Sequence, residues 1–312
     1  MKKVLLVITM VLCILGFAAA TGQQDNGKIR VGASVLTSSH PFYQAIKVAL
    51  EEEAAAQDVD LTVTVADQDL NRQLSSIEDF INKNVDVIII TPVDSDGVKG
   101  AVLKAQSAGI PVITVDIKAN GVDVHSHIAT DNYTGGMLAG QAMAQYLNFE
   151  GKVALITYPE VQSVRDRIDG FKEQVAQYKG IEIVAELPGR TREEAKIATE
   201  DMMTANPGIK GIFGFGDDMA IAATTVVKER KSSAIVIGFD GMEEGRNTVD
   251  ADNAFKAVVM QAPGRMGSTA IDLAVKIAKG EKVEKDIPIV PGLYIYGAGE
   301  VPVKSDLSFD IK

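Results

Sequence analysis

ITVDIKANGVDVHSHIATDN, residues Ile113 to Asn132, begins as a buried strand that ends on an acid, Asp116. A short polar link follows, then a second strand-like run, Val122–Ala129. After that comes Thr130-Asp131-Asn132, which reads as the start of a helix. An acid at the carboxyl end of a strand in an open α/β sheet stands where such sheets bind ligands. A chain that leaves this point for a further array of strands and helices predicts two lobes with a cleft between them.

Before this stretch the pattern is β-α-β-α-β-α-β. Strands are predicted over Ile29–Leu36, Leu61–Ala66, Val85–Ile90 and Ile110–Val115. Val85–Ile90 is a continuous apolar run, as a sheet covered on both faces demands. The first helix carries Pro41 in its opening turn, with His40 or Ser39 as its cap. It buries Phe42, Ala45, Ile46, Ala49 and Leu50 at helical spacing. After the stretch the alternation restarts with a helix over Thr134–Leu147. Strands then fall at Lys152–Thr157, Ile181–Leu187, Gly211–Phe215, Ala234–Phe239 and Ala254–Gln261, with helices between. Such alternation gives parallel, doubly wound sheets. The fold class is α/β, with two similar lobes. Gly280–Lys312, rich in Val, Ile and Pro, is predicted to run extended.

The 312 residues suffice for two domains, and 46% hydrophobic content supplies full cores. A net charge of -11 argues against nucleic acid, which calls for a basic patch, and against a polybasic membrane surface. Lys2 and Lys3 precede the apolar run Val4–Phe17, and Ala18-Ala19-Ala20 follows, the pattern of a cleaved secretory signal over residues 1–20. The sole cysteine, Cys13, lies inside it, so the mature chain has neither disulfide nor thiol nucleophile. Residues 21–27 are polar and predicted to be flexible.

Enzyme readings find little support. No G-x-S-x-G elbow occurs. Gly214-Phe215-Gly216 lacks the third glycine of a dinucleotide loop, since position 219 is Met. Asp217-Asp218 could form an acid–base pair, but acids at a helix N-terminus explain them better. His125 and His127, two apart on a predicted strand, share a face, yet no third ligand lies near, so no metal or cofactor is expected. The positive signal is polar and aromatic groups collecting after strands: His40, Phe42, Tyr43, Asp116, Arg165, Arg190, Asp240 and Gln261. Aromatic faces pack on ring C–H groups, and carboxylates and guanidiniums bond adjacent hydroxyls. Two acids against two arginines favour a neutral ligand.

With these motifs in view, the chain resembles the periplasmic sugar-binding proteins of ABC transporters, in the ribose-binding branch of the type I group. The resemblance runs from Ile29 to about Lys282. It rests on Ser39-His40-Pro41-Phe42-Tyr43, Pro92-Val93-Asp94-Ser95, Pro111–Asp116, His127–Asn132, Arg165-Asp166-Arg167 before Gly170-Phe171, Asp217–Ala220, Gly238–Gly241 and Gln261. It implies that Phe42 and Tyr43 sandwich a sugar ring and that Asp116, Arg165, Asp240 and Gln261 bind hydroxyls. His40 stands where an asparagine is usual, Ile117 where an arginine follows the acid, Arg190 in place of an aromatic, and Gly216 in place of an asparagine. These departures point from ribose toward a related monosaccharide or polyol.

The resemblance also implies a three-strand hinge, crossed near Ser126–Thr130, Gln261–Gly264 and Val290–Leu293. Residues 28–128 plus 262–291 would form one lobe, and 129–261 plus 292–312 the other with its tail. It further implies a periplasmic monomer that closes by hinge motion and delivers its solute to an ABC transporter permease, with a chemoreceptor as a further candidate partner and no nucleic acid. Three rivals share the architecture: a binding protein for a furanosyl signal, a lactose-repressor-type regulator, and an α/β enzyme. The regulator needs a helix-turn-helix where the signal stands.

Overall fold

The computed structural model describes residues 27–251 and 254–310. The predicted signal, and residues 21–26 of the predicted flexible segment, lie outside the described residues.

The first half of the chain runs β1 (Arg30–Val35), α1 (Pro41–Ala56), β2 (Asp60–Val65), α2 (Leu70–Asn82), β3 (Val87–Ile90), α3 (Lys99–Ser107), β4 (Val112–Val115) and β5 (Ser126–Thr130). The second runs α4 (Asn132–Tyr146), β6 (Glu150–Thr157), α5 (Gln162–Ala176), β7 (Gly180–Pro188), α6 (Arg192–Ala205), β8 (Ile209–Gly214), α7 (Asp217–Glu229), β9 (Ile235–Asp240), α8 (Glu243–Ala251) and β10 (Phe255–Met260). Then come α9 (Pro263–Ala278), β11 (Asp286–Ile289), β12 (Gly292–Ile295) and β13 (Gly299–Val301).

Two sheets result. The first has the order β2-β1-β3-β4-β5-β11 and is parallel throughout. The second has the order β7-β6-β8-β9-β10-β12-β13, parallel except for the last two strands. Both place their second strand outside the first and the third on its other side. Each therefore has a switch point, between β1 and β3 and between β6 and β8, where the connecting helices diverge and a crevice opens.

β3 shows why this sequence makes a sandwiched sheet. Val87 and Ile89 join the core shared with α1 and α9, while Ile88 and Ile90 join the one under α2 and α3. Side chains alternate across a strand, so four consecutive apolar residues need a covered sheet on both sides.

The chain changes sheets after β5, returns after β10 to lay α9 against α1, and changes again between β11 and β12. Of the C-terminal stretch predicted to run extended, β11 joins the first sheet, and β12 and β13 extend the second. Leu293, Ile295 and Phe309 are buried in that core.

Several strands are shorter than their sequence suggests, one of them markedly. Val122–Ala129 pairs only from Ser126. Gly121 turns the chain at φ 62, and Val124 is buried against the α2–α3 core without joining a strand. Its apolarity reflects packing rather than pairing.

Candidate functional site

Between the carboxyl ends of the two sheets lies a cavity of ≈ 200 Å³. Pockets for drug-sized molecules run to roughly 300–1,000 Å³, so this one suits a small solute. The first lobe contributes the residues that follow β1 to β4, and the second those that follow β6 to β10.

On the first side, the Ser-Ser-His-Pro sequence sets the start of α1. His40 is the N-cap, and its Nδ1 accepts from the Phe42 amide at 3.2 Å. A neutral ring held this way carries its proton on Nε2, as a donor. Phe42 and Tyr43 meet edge to face, centroids 5.2 Å apart. The Tyr43 hydroxyl donates to Asp116 Oδ2 at 2.9 Å. Burial, with the Asp116 charge beside it, raises the Tyr43 pKa well above its usual value, so it stays a donor.

Asp116 ends β4 in the left-handed region, φ 65, a conformation that Asp tolerates better than most residues. It is 3% exposed. Its Oδ1 is buried without a partner among the described residues. Burial pushes the carboxyl up to about 6, and Asp240 adds to the rise, while Arg167 and the Tyr43 hydroxyl pull it down. A buried polar atom without a partner is costly, and this one belongs to a residue that lines the cavity.

On the second side, Arg167 and Asp240 form a buried pair, Nη1 to Oδ1 at 3.2 Å. Arg167 also donates to Asn132 Oδ1 at 2.8 Å and to the Phe215 carbonyl at 2.7 Å, and it lies 3.9 Å over the Phe239 ring. Gln261 donates to Asp240 Oδ1 at 2.6 Å and accepts from Thr130 at 2.7 Å. Asp240, too, is left-handed, φ 92. The helix behind this network comes unusually close. A Cβ at Gly136 would overlap the Arg167 carbonyl oxygen, and one at Gly170 the Tyr133 carbonyl oxygen. Glycines at these two positions let α4 and α5 touch and so seat Arg167.

Of the residues singled out in the sequence, His40, Phe42, Tyr43, Asp116, Arg190, Asp240 and Gln261 all line the cavity. Arg190 is exposed, and among the described residues its backbone amide is tied to Glu194 at 2.8 Å. Arg165 is the correction. Its guanidinium turns to the Pro159 carbonyl and to Gln162, and it does not line the cavity. Positions two apart on a helix lie on different faces. Val164, Arg167, Ile168 and Phe171 form the buried stripe at helical spacing, which was the signal that Arg167 faces inward. Sequence reasoning also passed over Tyr158 and Phe215, which line the second lobe's side with centroids 6.4 Å apart.

Two other motifs find ordinary places. Only His127 lies on β5, bonded to Thr114 at 2.8 Å; His125 precedes the strand. Asp217 and Asp218 occupy the first turn of α7. Asp217 accepts from the Met242 amide at 2.7 Å, and Asp218 pairs with Arg192. Among the described residues no cluster of three or more His, Cys, Asp or Glu side chains could hold a metal, and no helix is long and apolar enough to cross a membrane.

The chain is similar to known proteins. The profile of the periplasmic binding protein domain matches residues 31–282. The ribose import binding protein of Escherichia coli (strain K12) is 30% identical over 291 residues, spanning 93% of this chain and 97% of the relative. Among solved structures, an ABC transporter solute binding protein from Mycobacterium smegmatis with bound glycerol superposes with a TM-score of 0.80 at 32% identity, covering 86% of this chain and 94% of the other. A periplasmic solute binding protein from Actinobacillus succinogenes 130z with bound D-allose gives 0.80 at 29%, covering 85% and 97%.

Proposed function

The chain belongs to the periplasmic binding protein domain family, and on that premise we propose that it captures a neutral monosaccharide or polyol between its lobes and delivers it to an ABC transporter permease. The unpartnered Oδ1 of Asp116 carries this reading. It is a buried acceptor on a residue that lines a small cavity, and a hydroxyl is a donor that fits. The similarity to proteins that bind ribose, glycerol and D-allose supports the same class.

Charge supports a neutral ligand. Asp218 is neutralised by Arg192, which leaves Asp116 and Asp240 against Arg167 and Arg190 around the cavity.

The mechanism is hinge closure. Residues 28–128 with 262–291 would move as one body against 129–261 with 292–312. Across the cleft, Arg167 of the second lobe lowers the pKa of Asp116 in the first and Asp240 raises it by less, so both lobes act on this carboxyl. A ligand bonded from both lobes shifts the equilibrium by its differential affinity for the closed state. No covalent step is ascribed to the protein. Residues 1–20 direct export, which N-terminal sequencing of the mature protein tests by showing cleavage near Ala20.

Calorimetric titration with uncharged monosaccharides and polyols, set against sugar phosphates and amino acids, tests the reading. One-to-one binding of an uncharged sugar or polyol is expected. Binding only of a charged solute would reject it.

A further inference from the structure

Two chemically different groups of side chains line the cavity. The polar ones include Tyr43 bonded to Asp116, and Arg167 and Gln261 bonded to Asp240. The apolar ones include Ile117, Val161, Val164, Phe215 and Met219, which belong to one continuous cluster and make up its apolar wall. Ile117 follows β4 of the first lobe, yet it is 2% exposed and packs into the core of the second. Its side chain offers no donor, and its amide is already committed to the Val115 carbonyl at 2.8 Å. Gly216 adds no side chain to this wall. Ser163, on the first turn of α5, is the hydroxyl nearest in sequence to the valines that line it.

Resting on the reading that this site takes a neutral carbohydrate, we propose that its ligand is a terminally deoxygenated sugar, with a methyl group or unsubstituted carbon against the Ile117 wall. Hydroxyls facing the polar wall meet acceptors and donors. A hydroxyl facing Ile117 gives up water and gains no partner from its side chain or its committed amide. A methyl group there instead removes apolar surface from water. Ile117 is thus a specificity-determining residue, and its wall is complete only when the lobes meet.

Calorimetry with matched pairs tests this: L-fucose with L-galactose, L-rhamnose with L-mannose, and 5-deoxy-D-ribose with D-ribose. The deoxy member of at least one pair is expected to bind tighter by on the order of 10- to 100-fold, the range over which an apolar pocket discriminates against an added hydroxyl. Equal or tighter binding of the hydroxylated member, or binding confined to fully hydroxylated sugars, overturns the proposal and leaves the carbohydrate reading standing. Failure of every uncharged sugar and polyol in the wider panel overturns both. Ile117→Thr should shrink the preference, and Ile117→Val, which is isosteric with Thr but apolar, should keep it. Thermal melts of both variants establish that each is folded. A folded Ile117→Thr variant with the full preference would show that Ile117 does not set it.

Discussion

The Tyr43 hydroxyl holds one oxygen of Asp116 at 2.9 Å and leaves the other buried and unpartnered. The aromatic and the acid act as one unit. Tyr43→Phe removes a donor that favours the ionised carboxylate, so the Asp116 pKa should climb above about 6. The pH at which ligand binding is half lost should rise by about one unit, roughly 1.4 kcal/mol. Titrations at several pH values between 5 and 8 measure it.

Wild-type affinity should itself depend on pH. Ligand hydroxyls favour ionised Asp116, so the bound pKa lies below the free value of about 6. Affinity is then full above pH 6 and falls as the pH drops through 6 toward the bound pKa. A binding constant flat from pH 8 to 5 would contradict this.

Asp116→Asn should stabilise the ligand-free protein. The folded pKa of Asp116 is raised from 3.8 to about 6, so ionising it opposes folding: its contribution favours the native state below pH 3.8 and is lost as the pH rises through 6. Asn removes that penalty at pH 8, accepts the Tyr43 bond, and tolerates φ 65 where Ala would be strained. The expected gain is about 1–3 kcal/mol, read from denaturant unfolding.

Arg165 and Arg167 should differ sharply. Arg167→Met leaves Asp240 buried beside a lost partner, at about 3–5 kcal/mol, and removes ligand binding. Arg165→Ala should change stability by less than about 1 kcal/mol and leave affinity unaltered. Unfolding and calorimetry on the two variants compare them directly.

Gly170→Ala should weaken binding from behind the site. The added methyl meets the Tyr133 carbonyl, pushing α5 off α4 and displacing Arg167. Overpacking of this kind costs about 1–3 kcal/mol, and the loss of affinity should accompany it. A variant with wild-type affinity would show that the close approach does not position Arg167.

Much of this was legible in the sequence because it follows from period and punctuation. The continuous run in β3 announced a covered sheet, and His40-Pro41 announced the start of α1. Asp116, Asp240 and Gln261 could be found because the end of a strand fixes where they stand. Arg167 was missed because the motif holds two arginines and only the helical stripe through Val164, Ile168 and Phe171 separates them. Tyr158 and Phe215 were missed because an aromatic after an apolar strand looks like core. The unpartnered oxygen of Asp116 was not readable at all, since it depends on Tyr43, 73 positions away in the chain.

The most direct test is calorimetry of the wild-type protein and Asp116→Asn, side by side at pH 8, with the tightest uncharged sugar or polyol from the panel. If Oδ1 of Asp116 accepts a ligand hydroxyl, the folded variant loses roughly 10- to 100-fold in affinity, the worth of a hydrogen bond to a charged group at about 1.5–3 kcal/mol. Equal affinity in the two proteins would contradict the account.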